Sequence, residues 1–210
     1  MEPCNQEKLG IDSNDPHMES HDDWELVSAC KNEKDHFFPI LVRRHYALVV
    51  NIGYRFFSDR MHAEDMAQEV FLKLYHHIGQ LRRGNQPFVH WLCRTTSNCC
   101  RSFYRKQSSE KRTIETEKVL FWYQDKEADA ANRIDEETKQ DIEYINDSLR
   151  RIKPNERIVL ILSHIAELKT CDIAPMIKKP EYTVRRLLRR AEEKIRKLIT
   201  QRILEKHARA

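Results

Sequence analysis

Phe38, Leu41, Val42, His45, Leu48, Val49, Ile52 and Phe56 recur at spacings of one, three and four, which places them along one side of a helix. The same spacing returns in Met66, Ala67, Val70, Phe71, Leu74 and Tyr75, and again in Ile142, Ile145, Leu149 and Ile152. Only four glycines occur in 210 residues, so few turns can rely on a positive φ, and a chain of hairpins is disfavoured. Period and composition together predict an all-α fold.

The chain is rich in charge, at 33% Asp, Glu, Lys and Arg. No apolar run approaches the roughly 20 residues of a membrane span, and the N-terminus lacks the basic start and apolar core of a signal peptide. These features predict a cytoplasmic protein without direct membrane insertion. Six cysteines (Cys4, Cys30, Cys93, Cys99, Cys100, Cys171) show no CxxC pair and read as thiols of a reducing compartment. His90 and Cys93 lie three apart, but no second pair of ligands follows, so no metal site is expected. No glycine-rich phosphate loop and no local nucleophile motif occurs, so neither a cofactor nor a catalytic site is predicted.

Charge alternates in blocks. Residues 1–35 hold 3 basic and 10 acidic side chains, 36–106 hold 11 and 4, 107–140 hold 6 and 9, and 141–210 hold 17 and 10. Two basic modules flank an acidic stretch, the layout of a chain that meets a polyanion twice. The periodic segments divide accordingly: an acidic, disordered extension over 1–21, a helical module over 22–106, an acidic linker over 107–140 and a second helical module over 141–205. Within the linker, Val119 to Tyr123 form an apolar island that reads as a docking segment.

In the first module a helix ending near Ser58 is followed by one capped by Ser58 or Asp59 and closing near His77. A turn-rich loop from Gly79 to Pro87 then leads into a helix from Phe88 to Lys106. Trp91, Leu92, Thr95 and Cys99 are expected to face inward there, with Arg94, Arg101, Arg105 and Lys106 largely outward. In the second module the run Ile158 to Ile165 is expected to centre a small separate core.

The segment Leu168 to Ala191, LKTCDIAPMIKKPEYTVRRLLRRA, reads as two short helices joined by a tight turn. At about 100° per residue, Arg185, Arg186, Arg189 and Arg190 share one face, while Val184, Leu187, Leu188, Ala191 and Ile195 share the other. Such a face suits a major groove flanked by phosphates. Taken alone, it is equally a solvated basic surface.

Three segments carry a family resemblance. HAEDMAQEVFLKLY (62–75) resembles the helix by which σ factors of the extracytoplasmic-function group of the sigma-70 family dock on the RNA polymerase clamp. FVHWLCRTTSN (88–98) is similar to the promoter-melting helix of the same σ2 domain, and 149–198 resembles the σ4 domain that reads the −35 element. The resemblance implies two small helical domains, a σ2 bundle and a σ4 helix-turn-helix domain, joined by a flexible linker. It also implies core RNA polymerase (clamp and flap), promoter DNA and an anti-sigma factor as partners.

Residue by residue, it implies polymerase contacts at Asp65, Gln68 and Glu69. Arg82, Arg83, Asn85 and Gln86 would hold an extruded non-template base, and Asn98, Arg101, Arg105 and Lys106 would face the duplex or the melted strand. Tyr182, Thr183, Arg185 and Arg186 would lie at base edges or at the start of the recognition helix, with Arg189 and Arg190 on phosphates. Trp91 is read as core. Pro175 sits inside the first helix of the motif, and Lys178 stands at the usual turn glycine, so the turn is where the family geometry is under strain. The competing readings are a helix-turn-helix regulator that does not serve as a polymerase subunit, and a helical interaction module with incidental basic faces.

Overall fold

A computed structural model describes residues 22–110 and 136–207. The described residues form eight α-helices: α1 (Asp23–Ala29), α2 (Lys34–Phe57), α3 (Arg60–His77), α4 (Phe88–Glu110), α5 (Glu136–Arg150), α6 (Pro154–His164), α7 (Thr170–Ile177) and α8 (Glu181–His207). A short 3₁₀ turn, Ile78–Gln80, closes α3. The island at 119–123 and the extension at 1–21 lie outside the described residues.

The helices start and stop for local reasons. Asp59 caps α3 by accepting from the His62 N–H at 2.8 Å, which leaves Ser58 to end α2 in the left-handed region at φ 54°. Pro154 opens α6, where its missing N–H is harmless. α4 runs to Glu110 and α5 begins at Glu136, so both helices enter the stretch read as linker.

α2 and α3 bury facing stripes, Phe37, Leu41, Val49, Ile52 and Phe56 against Met66, Ala67, Val70 and Leu74. Gly53 lets them close, since a Cβ there would meet Ala63 Cα at 3.2 Å. α4 adds Phe88, Leu92, Cys93, Cys99 and Cys100. Its buried Thr96 and Ser97 hydroxyls donate to Leu92 O and Arg94 O, which removes the cost of hiding them.

The separate second core expected around residues 158–165 is not what forms. Ile158, Val159, Ile161 and Leu162 of α6, with Ile173, Met176 and Ile177 of α7, belong to one continuous apolar cluster with α1–α4. Among the described residues, Leu149, Ile152, Leu160 and Ala191 form a distinct small cluster. The physical reason is that α6 is apolar on most sides, so packing on α8 alone would leave one face wet. α2 and α4 cover that face.

Polar contacts close the same seam. Arg157, 5% exposed, donates to Phe56 O at 2.5 Å, Arg150 O at 2.7 Å and Ile152 O at 3.0 Å, with its guanidinium 5.2 Å from the Phe56 ring. Arg55 Nη1 donates to Asn146 Oδ1, and Ser58 Oγ to Asn146 O, both at 2.9 Å. Burial holds the Arg157 guanidinium below its usual value. The three carbonyls, lying at or near helix C-termini, offer the negative dipole ends that stabilise its charge.

Candidate nucleic-acid interface

The second basic module presents a preformed helix-turn-helix. α7 and α8 are joined by Lys178 to Pro180, and Lys178 takes the left-handed conformation at φ 55° that the motif usually assigns to glycine. Its N–H and that of Lys179 both donate to Ala174 O, so the turn closes on the helix end with the 5→1 bond of an αL cap and a 6→1 bond beside it. Pro175 does not break α7: it lies on the exposed side of an eight-residue helix. The turn therefore has helix-turn-helix geometry with a strained lysine in it.

On α8, Val184 and Ala191 are buried, Leu187 and Leu188 half-buried, and Arg185, Arg186, Arg189 and Arg190 exposed. This matches the two faces read from the spacing. Tyr182 is 70% exposed, and Thr183 is half-buried. Glu181 Oε1 accepts from Arg185 at 2.7 and 3.0 Å and from Thr170 Oγ1 at 2.9 Å, which ties the start of α8 to α7 and aims Arg185. Those hydrogen bonds hold the Glu181 carboxyl below its usual range. Arg189 faces Glu193 at 3.7 Å, one helical turn on. Arg190 lines a shallow basic cleft with Lys153, Lys194 and Lys197, where Lys194 pairs with buried Glu156 at 2.5 Å.

The first basic module presents a loop and a helix. Arg82, Arg83, Asn85 and Gln86 are all exposed on the segment between the 3₁₀ turn and α4. Arg83 Nη2 lies 3.1 Å from Asp22 Oδ2, and Trp24 Nε1 donates to Gln86 O at 3.0 Å. Along α4, Asn98 is exposed and accepts from Arg101 Nη2 at 2.6 Å; Arg105 and Lys106 are exposed too. Arg101 is not fully outward. It is half-buried, its Nη1 reaching Ile177 O of α7 at 3.4 Å, and burial together with the neighbouring Arg105 charge lowers its pKa. α7 packs on α4 there, a contact that no spacing rule announces. Trp91 is half-buried and stacks on Phe88 with ring centroids 6.1 Å apart.

On α3, Asp65 is exposed, and Gln68 and Glu69 are half-buried. Glu69 accepts from Lys73 Nζ at 2.6 Å, and Lys73 also reaches Cys99 Sγ at 3.2 Å. Leu72, three residues beyond Glu69 on the same helix, is 58% exposed. The Cys30 and Cys93 thiols are both pushed up to about 12 by burial, which makes them poor metal ligands or nucleophiles. Cys171 is exposed.

Comparison with known proteins bears on both modules. The family model for Sigma-70 region 2 matches residues 41–110. The chain is 27% identical over 183 residues to the RNA polymerase sigma-H factor of Pseudomonas aeruginosa, covering 84% of this chain and 93% of that protein. It is 30% identical over 162 residues to the probable ECF RNA polymerase sigma factor SigI of Mycobacterium tuberculosis, covering 73% of this chain and 52% of that longer relative. The chain belongs to the sigma-70 family, in its ECF group.

The fold agrees. The sigma factor RpoE of Bartonella quintana, solved with the anti-sigma factor NepR, superposes with a TM-score of 0.58 at 18% identity, over 78% of this chain and 96% of that one. The region 2 match takes in α3, the loop and α4, hence every candidate from Asp65 to Lys106 in this sigma factor. The candidates on α8 lie outside it. Three residues outside the candidates matter to this arrangement: Asp22 and Trp24, legible only as the start and apolar face of a helix, touch the loop, and Arg157 closes the seam between the halves. The only sequence signal for Arg157 is a lone arginine opening an apolar run, which reads as readily as a solvated first-turn residue.

Among the described residues, no helix is long and apolar enough to cross a membrane, and no group of three or more His, Cys, Asp or Glu side chains converges on one point.

Proposed function

We propose that this chain is a dissociable transcription initiation factor rather than an enzyme. It binds core RNA polymerase through Asp65, Gln68 and Glu69 of α3, carries α8 to the upstream promoter element, and opens the start-site duplex with the 81–87 loop and α4. Residues 22–110 act as σ2 and residues 136–207 as σ4. The observation that carries this reading is the pairing in one chain of a region 2 match over 41–110 with a helix-turn-helix whose second helix exposes four arginines. A regulator that ignores polymerase explains α8 and leaves α3 without a use.

The packed arrangement is the resting form in this reading. Elements centred near −35 and −10 lie about 25 steps apart, roughly 85 Å along B-form DNA. α4 and α7 touch through Arg101 and Ile177, so α4 and α8 cannot reach both elements until the seam opens. The 25 residues between Glu110 and Glu136 can extend to about 85 Å, enough to permit it. An anti-sigma factor, the class of partner bound by the RpoE relative, would act by favouring the closed form.

Run-off transcription with purified core polymerase on a promoter library tests the proposal. Promoter-specific transcripts that depend on this chain are expected; no transcript on any template overturns it.

A further inference from the structure

α1 and its N-cap touch the 81–87 loop and its approach at three points. The helix packs on the 3₁₀ turn that leads into the loop. Asp22, its N-cap, faces Arg83 in the middle of the loop at 3.1 Å, and Trp24 Nε1 donates to Gln86 O near the end at 3.0 Å. The Trp24 ring meets Phe88, the first residue of α4, edge-on at 5.8 Å, and Phe88 in turn stacks on Trp91. α1 is itself anchored to α2, where Asp23 lies 2.7 Å from Arg44 Nη1 and 3.1 Å from His45 Nε2. A loop of seven residues with no helix of its own thus takes its shape from a helix some 60 residues earlier in the chain.

The geometry points to α1 as the holder of this loop, with Trp24 a positioning residue that sets the backbone around Gln86 and Asp22 a carboxylate that occupies Arg83 until a DNA phosphate displaces it. This rests on the 81–87 loop, proposed above to open the duplex, also holding the extruded base that the family resemblance implies. The two residues then act with opposite sign. Trp24 favours the loop shape that accepts a base, while Asp22 competes with the strand for the Arg83 guanidinium. The pair is exposed, at 67% and 46%, so its effect is modest and salt-dependent.

The test uses holoenzyme assembled from the full chain and core polymerase, titrated with single-stranded non-template oligonucleotides. The best binder from a randomised pool is compared with each of its single-base variants. Asp22→Asn keeps a good helix cap and is expected to tighten binding about threefold at low salt, an effect that fades at high salt and vanishes in an Arg83→Ala background. Trp24→Phe keeps the ring and loses the donor. Binding of the preferred base should fall about fivefold, and discrimination against the others should shrink.

Wild-type affinity and discrimination in both variants overturn the inference, as does a uniform Trp24→Phe loss across all bases, which marks a merely structural role. An Asp22→Asn gain that survives Arg83→Ala overturns the role of Asp22. Because Asp22 is exposed, its variant decides the matter even if Trp24→Phe does not fold. If wild-type holoenzyme itself shows no base preference, the base-reader proposal falls and takes this inference with it.

Discussion

The two basic surfaces of this sigma factor are held in different ways. On α8 two of the four arginines pair within their own helix: Arg185 with Glu181 and Arg189 with Glu193, each one turn away. On the loop and α4, by contrast, key groups are held from afar: Arg83 by Asp22, Gln86 by Trp24, and Arg101 by Ile177 of the other half of the molecule. A surface organised within one helix is ready to bind as it stands. One organised by distant elements changes when those elements move, so it can be coupled to opening of the chain.

The sharpest way to break this contrast is Arg157→Ala. Three carbonyls lose their donor at once, and we expect a loss of about 2–4 kcal/mol in denaturant unfolding. Small-angle scattering of the folded variant should show a larger radius as the halves separate. The α8 arginine face should keep its exposure, and unchanged dimensions would show that the apolar seam alone holds the molecule closed.

Next in size is Arg186→Ala, expected to lower affinity for the preferred upstream element by about 1–3 kcal/mol while relaxing preference at one position. Arg190→Ala should weaken all sequences alike and reduce the salt slope by about one. Equal, uniform losses in both would assign both to phosphates.

Smaller still is Lys178→Gly. Glycine adopts φ 55° without the Cβ conflict that lysine bears, so the helix-turn-helix should gain about 0.5–1 kcal/mol by thermal or denaturant unfolding. A loss would mean that the lysine side chain makes up for its strained backbone.

The last effect is confined to acid. Burial pushes the Asp23 carboxyl up, but the hydrogen bonds and charges of His45 and Arg44 outweigh it and hold the group below its ordinary value of 3.8. A depressed folded value means that ionised Asp23 adds stability in full above that ordinary value. The contribution is lost as pH falls through the lower, folded one. Asp23→Asn should therefore flatten the acid limb of an unfolding-versus-pH curve below about pH 4, and an unchanged limb would remove Asp23 as the anchor of α1.

Much of the fold was legible because its causes are local. A cap at Ser58 or Asp59, the α3 stripe from Met66 to Leu74, and the division of α8 into Val184 and Ala191 against its arginines all follow from hydrogen bonds and side-chain directions within a turn or two. The candidate site was legible to the same depth: the exposure of Arg82, Arg83, Asn85 and Arg186 could be read from the chain. The half-burial of Arg101 could not, because it depends on α7, some 76 residues later, landing on α4.

By itself, then, the sequence determined most of the helices, the cap at the start of α3, the apolar faces and the two basic surfaces, since each depends on residues a few positions apart. The tertiary structure alone decided that the two halves share one core, that Arg157 reaches the end of α2, and that α1 reaches the loop. An apolar face on α6 must be covered to leave water, but nothing in its own pattern names α2 and α4 as the cover. A buried guanidinium must find acceptors, yet only the folded chain brings Phe56 O within 2.5 Å of residue 157.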